Sequence, residues 1–446
     1  MAILAWSVFA FGGVYPSTLA VPGLLIAALA AAYRPLVLRR GRTPELDAAI
    51  LLVVAATVAQ LVPLPQAILA AISPGALAIA GNVSLVEPTG PLPIALDLQD
   101  AAGAVLLLTG ALSVFFISRQ IFESGGVRTV TRGLALTGLL LSGLAIAQDA
   151  TAHGMMYWRW RPIYERAYPF GPFVNRNHFG TWAMMVVPLC IGYLVAHTEA
   201  HRHAAGTSWR GRLLSLLDAR AWQLVSSIVL LTVGTVVSLS RSAMLGLGAS
   251  IAVGGLLALS HARQTRHEPR MLILLAITGG IIVGATVLRI EPAAITDRIR
   301  TADVGLSGRL EIWEPTAAIV RDFWLTGTGV GTYPMAMVMY QRTSPGVIFN
   351  QAHNHYLQVA AEGGLLVGLP LLLALAAFVR RAAAALARDR SGMYWLRAGA
   401  AAGLAGVAVQ SLFETGLLTP ANGLAAAVLA AIVVHVPGRY GPDRLR

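Results

Sequence analysis

A chain of 446 residues with 56% hydrophobic and only 12% charged residues is excluded from the class of water-soluble globular domains. Its formal charge of +12 is carried by arginine alone, dispersed between apolar runs without a patch of interleaved aromatics, which argues against a nucleic-acid-binding module. A single cysteine, Cys190, inside an apolar run, rules out an intrachain disulfide and reads as a buried, inert thiol.

Apolar runs long enough to cross a bilayer recur along the chain. In order, they predict membrane helices over 2–15, 17–33, 47–64, 101–118, 133–149, 179–197, 222–239, 242–260, 271–288, 356–379, 398–414 and 421–436. The expected fold is all-α, a polytopic transmembrane bundle of about twelve helices with a long, partly helical loop before the tenth. Its units are a bundle of about nine helices over 1–288, the loop over 289–355 and further membrane helices over 356–446. The first run lacks a preceding basic segment and a small-residue cleavage site, so it is read as retained and not as a signal peptide.

With the N-terminus inside, 22 of the 33 arginines fall in the even-numbered connections and at the C-terminus. The positive-inside rule then puts both termini in the cytoplasm. Three long connections, 65–100, 150–178 and 289–355, face the other side. The first is Pro-rich and has no arginine, whereas the second carries Arg159, Arg161, Arg166 and Arg176 and the third Arg289, Arg298, Arg300, Arg309, Arg321 and Arg342. Either long loops translocate whatever their charge, or these arginines meet a polyanion.

Four polar elements fall on that outer face: Asn175-Arg176-Asn177-His178, Ser240-Arg241-Ser242 in a tight helical hairpin, Gly308-Arg309 followed by Trp313, and His353-Asn354-His355. Arg241, between two apolar spans, costs several kcal/mol unless it is paired or reaches the interface. It either snorkels to lipid headgroups or clamps a phosphate with its planar fork. Arg309 reads equally as a solvated loop charge or as a ligand.

His353 and His355 lack an Asp, Glu or Cys at metal-ligand spacing, so no metal site is expected. One of them as a general base fits better, since imidazole titrates near neutral pH. His197, His201 and His203 read as a solvated inner connection. No Asp-x-Asp pair stands in an outer loop to hold a divalent cation on a diphosphate, which leaves the arginines to neutralise a leaving group.

Together these residues resemble the O-antigen ligase and polymerase family of membrane glycosyltransferases. The resemblance rests on Ser240-Arg241-Ser242, on Gly308-Arg309 with Trp313, on Gly327 to Tyr333, on Ala352-His353-Asn354-His355-Tyr356-Leu357 leading into Glu362-Gly363-Gly364, and on the Asn175 to His178 element. It covers about 170–370 and matches the N-terminal third only as generic spans. It departs from the ligase pattern at Val367, with the expected glycine one place on at Gly368. That weakens ligase relative to polymerase.

The resemblance implies a bacterial inner-membrane protein with its site at the periplasmic face and no cofactor. The donor would be a glycan on undecaprenyl diphosphate and the acceptor a hydroxyl of lipid A core or of a growing repeat. His353 would be catalytic, and Arg241 and Arg309 would bind diphosphate, with Arg176, Asn177, His178, Asn354 and His355 as further substrate contacts. The reaction would invert the anomeric carbon without a metal. A transporter of lipid-linked oligosaccharide is the alternative from another class. It would call for polar residues at mid-span and repeat symmetry, which the sequence does not display.

Overall fold

The computed structural model describes residues 1–35, 37, 43–83, 89–163, 167–205, 218–265, 280, 284, 302–342 and 347–436. Among these residues every regular element is helical, with three isolated β-bridges in connections. Helices are numbered here in chain order over the described residues.

The first expected span is divided. α1 (Ala2–Phe9) ends before a 3-10 turn at Phe11–Gly13, because Gly12 and Gly13 take left-handed φ of +71° and +76°. Eight residues rise only about 12 Å, too little to cross a bilayer. α2 (Pro16–Tyr33) and α3 (Pro44–Ala59) each open on proline, which suits the first helical turn. The Pro-rich connection that follows is not structureless: it holds α4 (Gln66–Ile72) and α5 (Pro74–Val83). α6 (Leu98–Glu123) is capped by Asp97, whose carboxylate accepts from the Asp100 N–H at 2.9 Å.

α7 (Val127–Thr151), α8 (Arg176–Ala205), α9 (Ala219–Val237) and α10 (Arg241–Thr265) continue the bundle. The ninth expected span, 271–288, apart from Gly280 and Gly284, lies outside the described residues, as do Arg166, Arg289, Arg298 and Arg300. α11 (Ala302–Asp322) carries Arg309, so this arginine stands on a helix and not in the open loop that its polar surroundings suggest. α12 (Tyr333–Tyr340), α13 (His355–Arg388), α14 (Met393–Gln410) and α15 (Pro420–Val434) complete the chain. Seven of these helices, α2, α6, α7, α8, α9, α10 and α13, are long and apolar enough to cross a membrane.

α8 is the hub, packed between α7, α9, α10 and α14. Its contact with α14 is backbone against backbone. A Cβ on Gly192 would sit 2.1 Å from the Trp395 carbonyl oxygen, and one on Gly399 2.3 Å from that of Pro188, so only glycine admits this approach. A second, smaller core joins α4, α5, α11 and α12 through Leu69, Ile312, Ile319, Phe323, Tyr333 and Met337, forming a cap apart from the main bundle core.

The glycine string 327–331 locks that cap to α13. Gly327, at φ +67°, would place a Cβ 2.1 Å from the Glu362 carbonyl oxygen. Helix α13 itself breaks at Gly364 (φ 53°, ψ −155°), freeing Leu365 and Leu366 N–H to donate to Trp324 and Leu325 at 2.9 Å each. Gln60 completes the joint by donating to the Thr326 and Glu362 carbonyls and accepting from Val330 N–H. The string therefore serves close approach to a neighbouring helix.

Candidate active site

Three of the four polar elements begin helices, and short polar side chains explain why they begin there. Asn175 accepts from Asn177 N–H at 2.9 Å ahead of α8, Ser240 precedes α10, and Asn354 caps α13 by accepting from Leu357 N–H at 3.0 Å.

Tertiary hydrogen bonds draw these starts together. Ser240 Oγ donates to Asn177 Oδ1 at 2.7 Å, joining α10 to α8. His355 N–H donates to the Ser411 carbonyl at 2.8 Å, tying α13 to the end of α14. Asn422, in the first turn of α15, donates to the His178 carbonyl at 3.1 Å. Four helix N-termini, of α8, α10, α13 and α15, thus meet at one end of the bundle. Each contributes roughly half a positive charge, which favours an anion there.

At the centre stands a residue the sequence reading did not single out. Glu414, 1% exposed, accepts from His353 Nδ1 at 3.2 Å, from its neighbour Thr415 N–H at 3.1 Å and from Asn177 Nδ2. Burial alone would raise its carboxyl pKa, but the His353 hydrogen bond and the nearby imidazoles of His353 and His178 outweigh it and hold the group at about 2. With Glu414 ionised, Nδ1 of His353 carries the proton, which leaves Nε2 as the accepting nitrogen.

The His353 side chain is 36% exposed, so the ring is open to solvent while Glu414 behind it is not. Its backbone sits at φ +48°, a left-handed value that histidine tolerates better than most residues.

The three arginines flank this network. Arg176 follows Asn175 and precedes Asn177, its guanidinium 5.0 Å from the Tyr168 ring centre. Arg241 follows Ser240 and is exposed. Arg309 reaches from α11 to within 5.9 Å of the Phe413 ring centre, one residue before Glu414. Two of the named histidines carry buried ring nitrogens. His178 is buried with neither ring nitrogen hydrogen-bonded among the described residues, and Nδ1 of His355 is likewise buried and unpartnered. Among the described residues no group of three His, Cys, Asp or Glu is placed to hold a metal ion.

Glu414 escaped the sequence reading because it closes the apolar run 398–414 and was absorbed into it. The available signal was a lone carboxylate at the end of a membrane run, which by itself marks a functional position.

Residues 226–373 match the family model described as O-antigen ligase. That segment is about a third of the chain, and over it the chain is similar to the O-antigen ligase family. No curated protein matches the chain. The matched segment runs from within α9 into α13 and contains Arg241, Arg309, His353, Asn354 and His355. Arg176, Asn177 and Glu414 lie outside it, yet Asn177 and Glu414 are bonded to residues within it. The polar network is therefore shared between the matched segment and helices on either side of it in the chain.

Proposed function

We propose that this protein is an inverting, metal-independent glycosyltransferase that moves a glycan from undecaprenyl diphosphate to an acceptor hydroxyl at the periplasmic face of the bacterial inner membrane. The observation that carries the reading is the buried Glu414 behind a solvent-reachable His353, among three arginines and four convergent helix N-termini.

Each part has a chemical task. The diphosphate is held by Arg241 and Arg309, with Arg176 beside them and the helix N-termini adding fixed positive potential. Nε2 of His353 takes the proton of the acceptor hydroxyl as its oxygen attacks the anomeric carbon. The bond from that carbon to the diphosphate oxygen breaks, and the electron pair leaves with the diphosphate. Glu414 stabilises the imidazolium that forms and fixes the ring orientation. Asn177 and Ser240 hold Glu414 in turn. The cap of α4, α5, α11 and α12 covers the site and limits hydrolysis by water.

Ligase transfer to lipid A core is the favoured acceptor chemistry, and polymerase transfer to a second repeat unit is the reading from the same family. Purified protein, a prenyl-diphosphate-linked oligosaccharide and each acceptor in turn, assayed in chelator, separates the two by product size. Transfer lost in His353→Ala and retained in His355→Ala supports the reading. Donor bound through Arg241 but no transfer to any acceptor would replace it with lipid-linked oligosaccharide transport.

A further inference from the structure

The opposite end of the bundle holds a cavity that the transfer reaction does not use. It has a volume of about 520 Å³ and opens where α6 turns into α7, α13 turns into α14, and α15 ends. Arg128, Arg381, Arg388, Arg390 and Arg397 line it. Two carboxylates share the lining, Glu123 and Asp389. Asp389 is already engaged, accepting from Arg397 Nε at 3.0 Å and from Ser391 at 2.7 Å.

The arginines are not equivalent. Arg397 is spent on structure, its guanidinium also donating to the Val433 and His435 carbonyls at 2.6 and 2.9 Å. Arg390 donates to Gln264 at 2.8 Å. Arg381 keeps a buried Nε with no hydrogen-bond partner among the described residues, and the charges of Arg388 and Arg119 act on it. A buried guanidinium N–H without a partner beside like charges is costly unless an anion arrives.

The charge balance says how large that anion is. Five guanidiniums against two carboxylates leave three positive charges, and three helix C-termini against two N-termini, each worth about half a charge, lower the excess to about two and a half. One or two phosphodiester charges would neutralise much of that excess. The cavity lies at the ends of membrane-crossing helices, where phosphodiester headgroups are at high local concentration and basic pockets between helices bind them.

We propose that this cavity is a binding site for the phosphodiester headgroup of an anionic phospholipid. Arg381 and Arg388 supply the charge-assisted hydrogen bonds, and the apolar flanks of α6 and α13 receive the acyl chains. This reading stands independently of glycosyl transfer at His353.

The test uses the full chain in detergent, with binding read by native mass spectrometry against phosphatidylglycerol, phosphatidylcholine and inorganic phosphate. The wild type is expected to retain phosphatidylglycerol over phosphatidylcholine. Arg381→Gln and Arg388→Gln should each weaken phosphatidylglycerol about fivefold and the pair about 25-fold. Arg321→Gln, on the cap far from the cavity, should leave it unchanged. Equal retention of the two lipids, or wild-type affinity in the double variant, overturns the proposal. Displacement of phosphatidylglycerol by an equal concentration of inorganic phosphate assigns the cavity to free phosphate and also overturns it. If the double variant fails to fold, the exposed Arg388→Gln alone carries the comparison.

Discussion

Replacing Glu414 by glutamine tests the proposed chemistry most directly, because it removes one charge while keeping size and shape. At the 3.2 Å separation from His353 Nδ1, an effective dielectric constant of about 20 gives roughly 5 kcal/mol between a carboxylate and an imidazolium. A side chain 36% exposed is screened by water, which reduces this to about 2–3 kcal/mol. If that stabilisation is felt only as the proton reaches Nε2, kcat should fall about 30- to 150-fold with KM for the lipid donor little changed. The glutamine also faces a donor mismatch. Its amide must meet either His353 or the Asn177 amide, which already donates to Glu414. When the NH2 faces His353, the imidazole is pushed into the tautomer protonated at Nε2, which cannot act as base. The assay is single-turnover transfer from a prenyl-diphosphate-linked oligosaccharide, with melting temperature followed to confirm folding. A folded Glu414→Gln enzyme with kcat within threefold of wild type, alongside an inactive His353→Ala, would refute the role given to the pair.

Arg241→Lys and Arg309→Lys keep charge but lose the bidentate fork, so each should raise KM for the diphosphate donor about tenfold while lowering kcat less, read by donor titration. Glu414 is held at about 2 in the folded protein, so its stabilising contribution is complete above the unfolded carboxyl value near 4.3 and is lost as pH falls toward 2. That contribution is about 3 kcal/mol, and melting temperatures between pH 6 and 3 should drop more steeply for wild type than for Glu414→Gln. Gly327→Ala forces a Cβ onto the Glu362 carbonyl at a left-handed φ and should destabilise the cap by more than about 2 kcal/mol, seen as earlier proteolysis of 302–342. Arg119→Met leaves Asp47 buried without its cation and should cost about 3–5 kcal/mol in stability, while kcat per folded molecule stays at the wild-type value.

Much of this site could be read from sequence, for a physical reason. Arginines and short polar residues at the ends of apolar runs are expensive in a membrane, so Asn175 to His178, Ser240 to Ser242 and His353 to His355 stand out; Ser240 is bonded to Asn177 directly, and His353 reaches Asn177 through Glu414. What sequence could not supply was the partner. Glu414 matters through contacts with residues far away in the chain, and no local pattern in 398–414 encodes them. Burial direction was equally hidden. In the sequence His178 and His355 stand as equals of His353, yet both ring nitrogens of His178 and Nδ1 of His355 are buried. The fold was legible as an all-helical membrane chain, while its irregularities were not. The interruption of α1, the helices inside 65–100 and the break at Gly364 all depend on single glycines or on packing of the cap, which hydropathy averages away.

The left-handed backbone of His353 carries an evolutionary implication. A residue with a Cβ pays about 1 kcal/mol to sit at φ +48°, and glycine would not. Removing the side chain would relieve that strain but would leave the buried Glu414 carboxylate without its His353 partner, and the loss of about 3 kcal/mol is the larger. The two residues are therefore bound to change together: His353→Gly should lower the melting temperature of the wild type and raise it only in a Glu414→Leu background, where nothing is left to hold the strained histidine.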